Sequence, residues 1–247
     1  MPANPLQNIF AETKFVKFSR RQDRFLFFSA VNELVSSDSV VLDFGAGRNR
    51  FPEYGRHLNM ISTFKGRCKK IVGVDVDPVV MTNDSLDEAH ILRGDGRIPL
   101  PDQSVDVVFS YAVFEHIDDV QAIADELNRV LKPGGWICAW TPNKWGYVGL
   151  GARMTPNKLH AKMLTVAQPN SRTAKDVFPV VYKINTLPHV RKYFTDKYFT
   201  NFSFYYNAQP SYNFGSAVIA RLWLLYMLVT PMFLGQSLMI FLRKHDS

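Results

Sequence analysis

The chain has 247 residues, 47% of them apolar, which fits one α/β domain with an added lobe and is ample for a large core. Its two cysteines, Cys68 and Cys138, lie far apart, which argues against a disulfide framework, and its six histidines lack metal-ligand spacing. The formal net charge of +7 is unevenly spread: residues 1–142 hold 16 Lys and Arg against 19 Asp and Glu, whereas residues 143–247 hold 13 against 3.

In chain order, the apolar spacing predicts a helix over residues 22–36, then strands near 39–44, 70–75, 90–93, 105–110 and 135–141. The long interval after the first strand leaves room for a helix through Phe51 to Phe64. Val120 to Leu131 reads as an amphipathic helix with Ile123, Leu127, Val130 and Leu131 on one face, stopped by Lys132-Pro133-Gly134-Gly135. Alternation of this kind predicts a parallel sheet with helices on both faces. Regularity ends after Asn143.

Chemistry concentrates where the first two strands end. Val40 to Leu42 runs into Asp43 and then Gly45-Ala46-Gly47, a turn whose glycines tolerate positive φ and let a ligand approach the backbone. The second run, Ile71 to Pro78, carries Asp75, a carboxylate able to accept both hydroxyls of a ribose. A dinucleotide fingerprint needs a third glycine where this chain has Arg50. Asp43 would repel a pyrophosphate but suits the ammonium of an amino-acid moiety, a combination that fits S-adenosylmethionine.

Four motifs appear in order: VLDFGAG at 41–47, VGVDVD at 72–77, GDGRIPLPDQSVDVVFSYAVFEHI at 94–117 and LNRVLKPGGWICAWTPN at 127–143. On these residues, Val40 to Asn143 resembles the cofactor domain of class I S-adenosylmethionine-dependent methyltransferases, near the ubiquinone and menaquinone methyltransferase group. The resemblance implies a Rossmann-like α/β fold, a mostly parallel seven-stranded sheet with helices on both faces and an antiparallel last strand. It further implies that Asp43, Gly45, Ala46 and Gly47 hold the methionine portion, Asp75 the ribose and Val76 the adenine face. Asp95 would accept from the adenine amino group, Gly96 and Arg97 would complete that wall, and Ser110 would lie near the methionine carboxyl end or the transferred methyl. Ala46 replaces a cysteine common in that loop. Arg48 and Arg50 are unusual beside a cationic cofactor and are expected to face solvent or an acidic substrate.

A general base would help methyl transfer to a hydroxyl, and His116 is the first candidate because it is expected to open the helix after the fourth strand, next to Glu115. The alternative is a structural histidine that caps the helix or bonds a carboxylate. His160 and Tyr182 are weaker candidates, and no metal site is expected. Phe109-Ser110-Tyr111-Ala112 lacks the Pro-Pro-aromatic pattern of enzymes that methylate a base amino group, which weighs against nucleic acid; RNA methylation is the lesser alternative.

The basic C-terminal part sets Lys144, Arg153, Lys158, Lys162, Arg172, Lys175, Lys183, Arg191, Lys192 and Lys197 around Trp145, Tyr147, Phe178 and Tyr182. It reads either as a solvated surface or as a lobe for an acidic substrate or an anionic membrane face. From Leu222 to Leu242, 21 residues carry no charge, long enough for a membrane span, but Pro231, Gly235 and Gln236 divide the run into a helix, Ser216 to Val229, and a strand, Ser237 to Leu242. Tyr198 to Tyr206 and that strand would be the sixth and seventh strands of the sheet. The expected organisation within one structural domain is 1–142 for the N-terminal helix and cofactor core, 143–215 for the substrate lobe and sixth strand, and 216–247 for the apolar helix and last strand. TPNKWGYVGL, KLH and DVFPVVYKINTLPHVRKYF are similar to substrate regions of bacterial methyltransferases of surface-polysaccharide pathways. That similarity implies a small-molecule, glycan or lipid-linked acceptor. A non-catalytic, membrane-associated scaffold is the other reading. The N-terminus lacks an apolar signal core, so a cytoplasmic place is expected, with the inner membrane face as a candidate surface.

Overall fold

The computed structural model describes residues 9–16, 18–48, 55–92, 94, 96–154, 179–209 and 216–246. They group into two compact units. One takes the described parts of Met1–Asp23, Pro142–Val180 and Tyr205–Ser237, and the other those of Arg24–Thr141, Val181–Phe204 and Leu238–Ser247.

The larger unit is built on a sheet whose strands are β1 Val40–Phe44, β2 Lys70–Asp75, β3 Glu88–Ile91, β4 Val105–Tyr111, β5 Leu131–Pro142, β6 Phe199–Asn201, β7 Phe204–Tyr206 and β8 Ser237–Lys244. Their order is β3-β2-β1-β4-β5-β8-β6, with β7 paired to β8 off this path. The pairs β1–β2, β1–β4, β2–β3 and β4–β5 are parallel, and β6 with β8 is antiparallel. The expected mostly parallel α/β sheet with an antiparallel last strand is therefore present, with eight strands rather than seven.

The extra strand arises because the expected Tyr198 to Tyr206 segment breaks in its middle. Asn201 Oδ1 accepts from the Ser203 amide at 2.9 Å, an Asx turn that bends the chain. Ser203 Oγ then takes the Phe241 amide that a continuous ladder would have used. β3 lies two residues earlier than its apolar Ile91-Leu92 suggested, because β2 pairs with Glu88 to Ile91. β5 begins at Leu131 and runs through the presumed helix stop, with a register shift against β4 between Val105 and Val107. Gly135 permits it: a Cβ there would stand 2.8 Å from the Asp106 carbonyl oxygen.

Helix α1, Asp23–Leu34, buries Phe27, Phe28 and Val31 completely. Phe28 meets Phe109 edge-on at 6.2 Å, and Phe64 meets the same ring at 5.2 Å. Phe64 follows α2, Arg56–Ser62, the described part of the helix expected through Phe51 to Phe64. Helix α3, Val120–Val130, is capped by Asp119, whose Oδ1 accepts from the Ala122 amide at 3.1 Å, and it buries Ala124, Leu127 and Val130.

Beyond Asn143 the chain is more regular than its pattern suggested. α4 is Tyr147–Met154 and α5 is Leu187–Tyr193, the latter capped by Thr186 with Pro188 in its first turn, a start signal visible in Thr-Leu-Pro. In the smaller unit, α6, Ala217–Val229, is capped by Ser216 and ends before Pro231. Its Ala220 packs with Phe10, Ile9 and Leu224, and its Trp223 stacks on Tyr147 at 4.3 Å. Asn143 ties the turn after β5 down by donating to the Phe233 and Gly235 carbonyls at 2.8 and 2.7 Å. No helix among the described residues is long and apolar enough to cross a membrane. Both cysteines are free, and burial pushes the Cys138 thiol far up.

Candidate cofactor site

Parallel strands deliver their C-terminal ends to one edge, and in open α/β sheets ligands bind at that edge. Here β1, β2, β4 and β5 bring Phe44, Asp75, Tyr111 and Thr141 toward it, all within the larger unit.

At the end of β1, Asp43 is buried. The Gly45 and Ala46 amides both donate to the Val74 carbonyl, at 2.8 and 3.1 Å, which ties the glycine turn to β2. Gly45 has φ +78° and Gly47 has φ +49°. A side chain at Gly45 would collide with Val113, its Cβ falling 2.2 Å from Val113 Cγ2, so this position needs glycine for both backbone angle and space. Gly47 donates its amide to Asp75 Oδ2 at 2.8 Å, while Asp75 Oδ1 accepts from the Asp77 amide at 2.8 Å. Each carboxylate oxygen keeps accepting capacity beyond these bonds, so Asp75 is at once the brace of the loop and a free double acceptor. Beside it, Val76 is 58% exposed and presents an apolar surface suited to a planar base.

Asn83 was not singled out from the sequence. Its amide nitrogen donates to the carbonyls of Ala46, Gly47 and Arg48 at 3.2 to 3.3 Å, and its Oδ1 accepts from the Ser85 amide and hydroxyl. Three consecutive carbonyls drawn to one donor fix the path of the loop backbone. No local pattern marks this residue, since the contact spans 35 or more positions.

Gly96 takes φ +70° and Arg97 is exposed; Asp95 lies outside the described residues. The stretch from Ile98 to Leu100 is clamped by α3. Glu126 accepts from the Ile98 amide at 2.9 Å and from Arg129 Nε at 2.9 Å, while Arg129 reaches the Ile98 and Leu100 carbonyls, both at 2.9 Å. The Arg129 guanidinium holds the Glu126 carboxyl below the usual carboxylate range.

β4 ends in a strained step. Ala112 adopts φ +60°, rare for a residue with a side chain, and its amide donates to the Trp140 carbonyl at 2.9 Å. That step sends Val113 over Gly45. Just before it, Ser110 is buried, and its hydroxyl has no hydrogen-bond partner among the described residues. Tyr111 stacks on Trp140 at 4.5 Å and accepts from Arg24 Nε at 2.9 Å.

His116 does not open a helix: it closes the short 3₁₀ turn Phe114–His116, because Asp119 rather than His116 caps α3. Its Nε2 is 3.9 Å from Glu115 Oε1. Buried Glu115 accepts from the Thr141 hydroxyl at 2.8 Å, which in turn accepts from Asn185 Nδ2 at 2.6 Å. The Glu115 carbonyl receives the amides of Val181 and Tyr182 at 2.8 and 3.2 Å. Thr141 and Asn185 escaped sequence reading, and Glu115 was visible only as the neighbour of His116, because the three meet only across the sheet edge. Tyr182 is buried, and Arg48 is exposed as expected. Arg50, Lys158, His160, Lys162, Arg172, Lys175 and Phe178 lie outside the described residues. No group of three or more metal-ligating side chains occurs among the described residues.

A Rossmann-like sheet whose glycine turn is braced by the acid at the neighbouring strand end matches the class I S-adenosylmethionine-dependent methyltransferases. Residues 42–139 match the family described as Methyltransferase domain. A probable S-adenosylmethionine-dependent methyltransferase of Mycolicibacterium smegmatis is 34% identical over 105 residues, covering 41% of this chain and 40% of that protein. The malonyl-[acyl-carrier protein] O-methyltransferase of Yersinia pestis is 32% identical over 101 residues, covering 40% of this chain and 34% of that one. The matches thus span about two fifths of the relatives' length or less. Among solved structures, geranyl diphosphate C-methyltransferase from Streptomyces coelicolor shares the fold at 11% identity with a TM-score of 0.50, covering 91% of this chain and 78% of that one. S-adenosylmethionine is the cofactor of this class of domain.

Proposed function

We propose that the chain is an S-adenosylmethionine-dependent methyltransferase that methylates an oxygen of a small-molecule, glycan or lipid-linked acceptor. The observation that carries the reading is the bond from the Gly47 amide to Asp75 Oδ2, which joins the glycine turn to the acid at the neighbouring strand end. The cofactor fits the residues present: Asp43 faces its ammonium, the 45–47 backbone follows the methionine portion, Asp75 takes the ribose and Val76 the adenine. Gly96 and Arg97 form the adenine wall, to which the sequence adds Asp95. The orphaned hydroxyl of Ser110 is available to its carboxyl end. When bound, its sulfonium supplies an electrophilic methyl group.

The protein's task is then to align the acceptor and keep out water. His116, leaning on the buried Glu115, takes the hydroxyl proton as the candidate base. Transfer to oxygen is favoured over other atoms by the O-methyltransferase among the relatives, and an acidic or lipid-linked acceptor by the basic C-terminal part of the sequence.

Calorimetric titration with S-adenosylmethionine and its demethylated product tests the cofactor assignment. Asp75→Ala removes two charge-assisted hydrogen bonds to the ribose and should weaken binding by about a hundredfold or more. Affinity within threefold of wild type, in a variant that keeps its thermal midpoint, would sink the assignment. Cofactor binding without release of demethylated product on an acceptor panel favours the scaffold reading.

A further inference from the structure

Among the described residues, one face of α6 packs into no core. Ala220, Trp223, Leu224 and Met227 form the inward side, with Ala220 and Met227 buried. On the outward side Val218, Leu222, Leu225 and Val229 repeat at the spacing of one helical stripe, and Met232 and Phe233 extend it beyond Pro231. These six side chains are 56 to 75% exposed. Scattered apolar residues on a surface need no explanation, but a continuous row of large ones marks an interaction surface.

The charge of the same unit indicates what meets it. The sequence stretches that make up this unit hold 11 Lys and Arg against 3 Asp and Glu, and no acidic residue occurs between Tyr198 and His245. The only charge on α6 is Arg221. A second copy of the chain would bring two sequence stretches of the same positive sign together. A protein partner would need hydrogen-bonding groups and a matching contour, and this row offers neither donors nor acceptors. Lipid hydrocarbon under anionic headgroups asks only for apolar side chains and positive charge. Thirteen residues of helix span about 20 Å, too short to cross a bilayer but sufficient to lie in its interface.

We propose that the outward face of α6, continued by Met232 and Phe233, seats the protein on an anionic lipid bilayer, the helix lying in the interfacial plane. The inference goes beyond the methyltransferase reading and does not depend on it, because vesicle binding needs neither cofactor nor acceptor.

Cosedimentation of the full chain with vesicles of mixed phosphatidylcholine and phosphatidylglycerol is the test. The chain should bind these vesicles, bind pure phosphatidylcholine vesicles at least about tenfold more weakly, and be released by salt. Leu222→Asn/Leu225→Asn should lower affinity for the mixed vesicles at least about tenfold. Both positions are exposed, so its thermal midpoint and its S-adenosylmethionine titration should match wild type. Wild-type protein that stays in the supernatant overturns the proposal. So does a folded double variant that binds as tightly as wild type, or a dimer seen by light scattering that the double variant abolishes while vesicles bind neither protein.

Discussion

In β8 the side chains from Leu238 to Leu242 are all buried, whereas in α6 Val218, Leu222, Leu225 and Val229 stand well over half exposed. Leu222 to Val229 of α6 and Leu238 to Leu242 of β8 belong to one uncharged run of 21 residues, yet one segment lies within a sheet and the other keeps an exposed face. Hydrophobicity raises the free energy of exposure, but neighbours decide whether a side chain escapes it. β8 has strand partners on both sides, β5 and β6, while among the described residues α6 packs along one stripe only. The same contrast separates the cofactor edge, where backbone groups are tied by Asp75, Asn83 and Glu126, from a helix held mainly by side-chain packing.

The contrast is broken most directly by truncating leucines. Leu242→Ala should cost about 2–5 kcal/mol by leaving a cavity, against about 0.5 kcal/mol or less for Leu225→Ala, measured as chemical unfolding free energies. Equal costs would mean that α6 is covered in solution. At the cofactor edge, Gly45→Ala should destabilise by about 1–3 kcal/mol, since φ +78° and the Val113 side chain both oppose a Cβ. It should also weaken S-adenosylmethionine binding more than stability at the assay temperature accounts for, because the displaced turn carries the Gly47 amide away from Asp75. A smaller effect belongs to Glu126. Its folded-state pKa is depressed by Arg129, so the stabilisation is present above the ordinary glutamate pKa and is lost as pH falls through the folded value. Wild type should exceed Glu126→Gln by about 1 kcal/mol at neutral pH, and thermal melts of the two should converge in acid below the usual carboxylate range.

Legibility from the sequence followed the range of the interactions. Lys70–Asp75 was readable to the residue and Val40–Phe44 nearly so, because buried parallel strands are continuous apolar runs with sharp polar ends. α3 was readable from its stripe and its Asp119 cap. β3 was misplaced because an edge strand carrying Glu88 and His90 has no such run, and its register is set by β2. Of the site, Gly45, Gly47 and Asp75 were legible since each is demanded by local backbone geometry or by strand-end chemistry. Asn83, Thr141 and Asn185 were not, because polar residues in loops look alike until their partners are known.

Order and spacing of strand ends, glycines and acids determined, from sequence alone, a parallel sheet with a nucleoside-type cofactor edge, because strand periodicity and φ > 0 turns are properties of short segments. Three matters waited for the tertiary structure: the splitting of the Tyr198 to Tyr206 segment, the network behind His116, and the opposite fates of β8 and α6. Each turns on contacts between residues tens to a hundred or more positions apart, and burial is a property of the assembled fold rather than of any one stretch of chain.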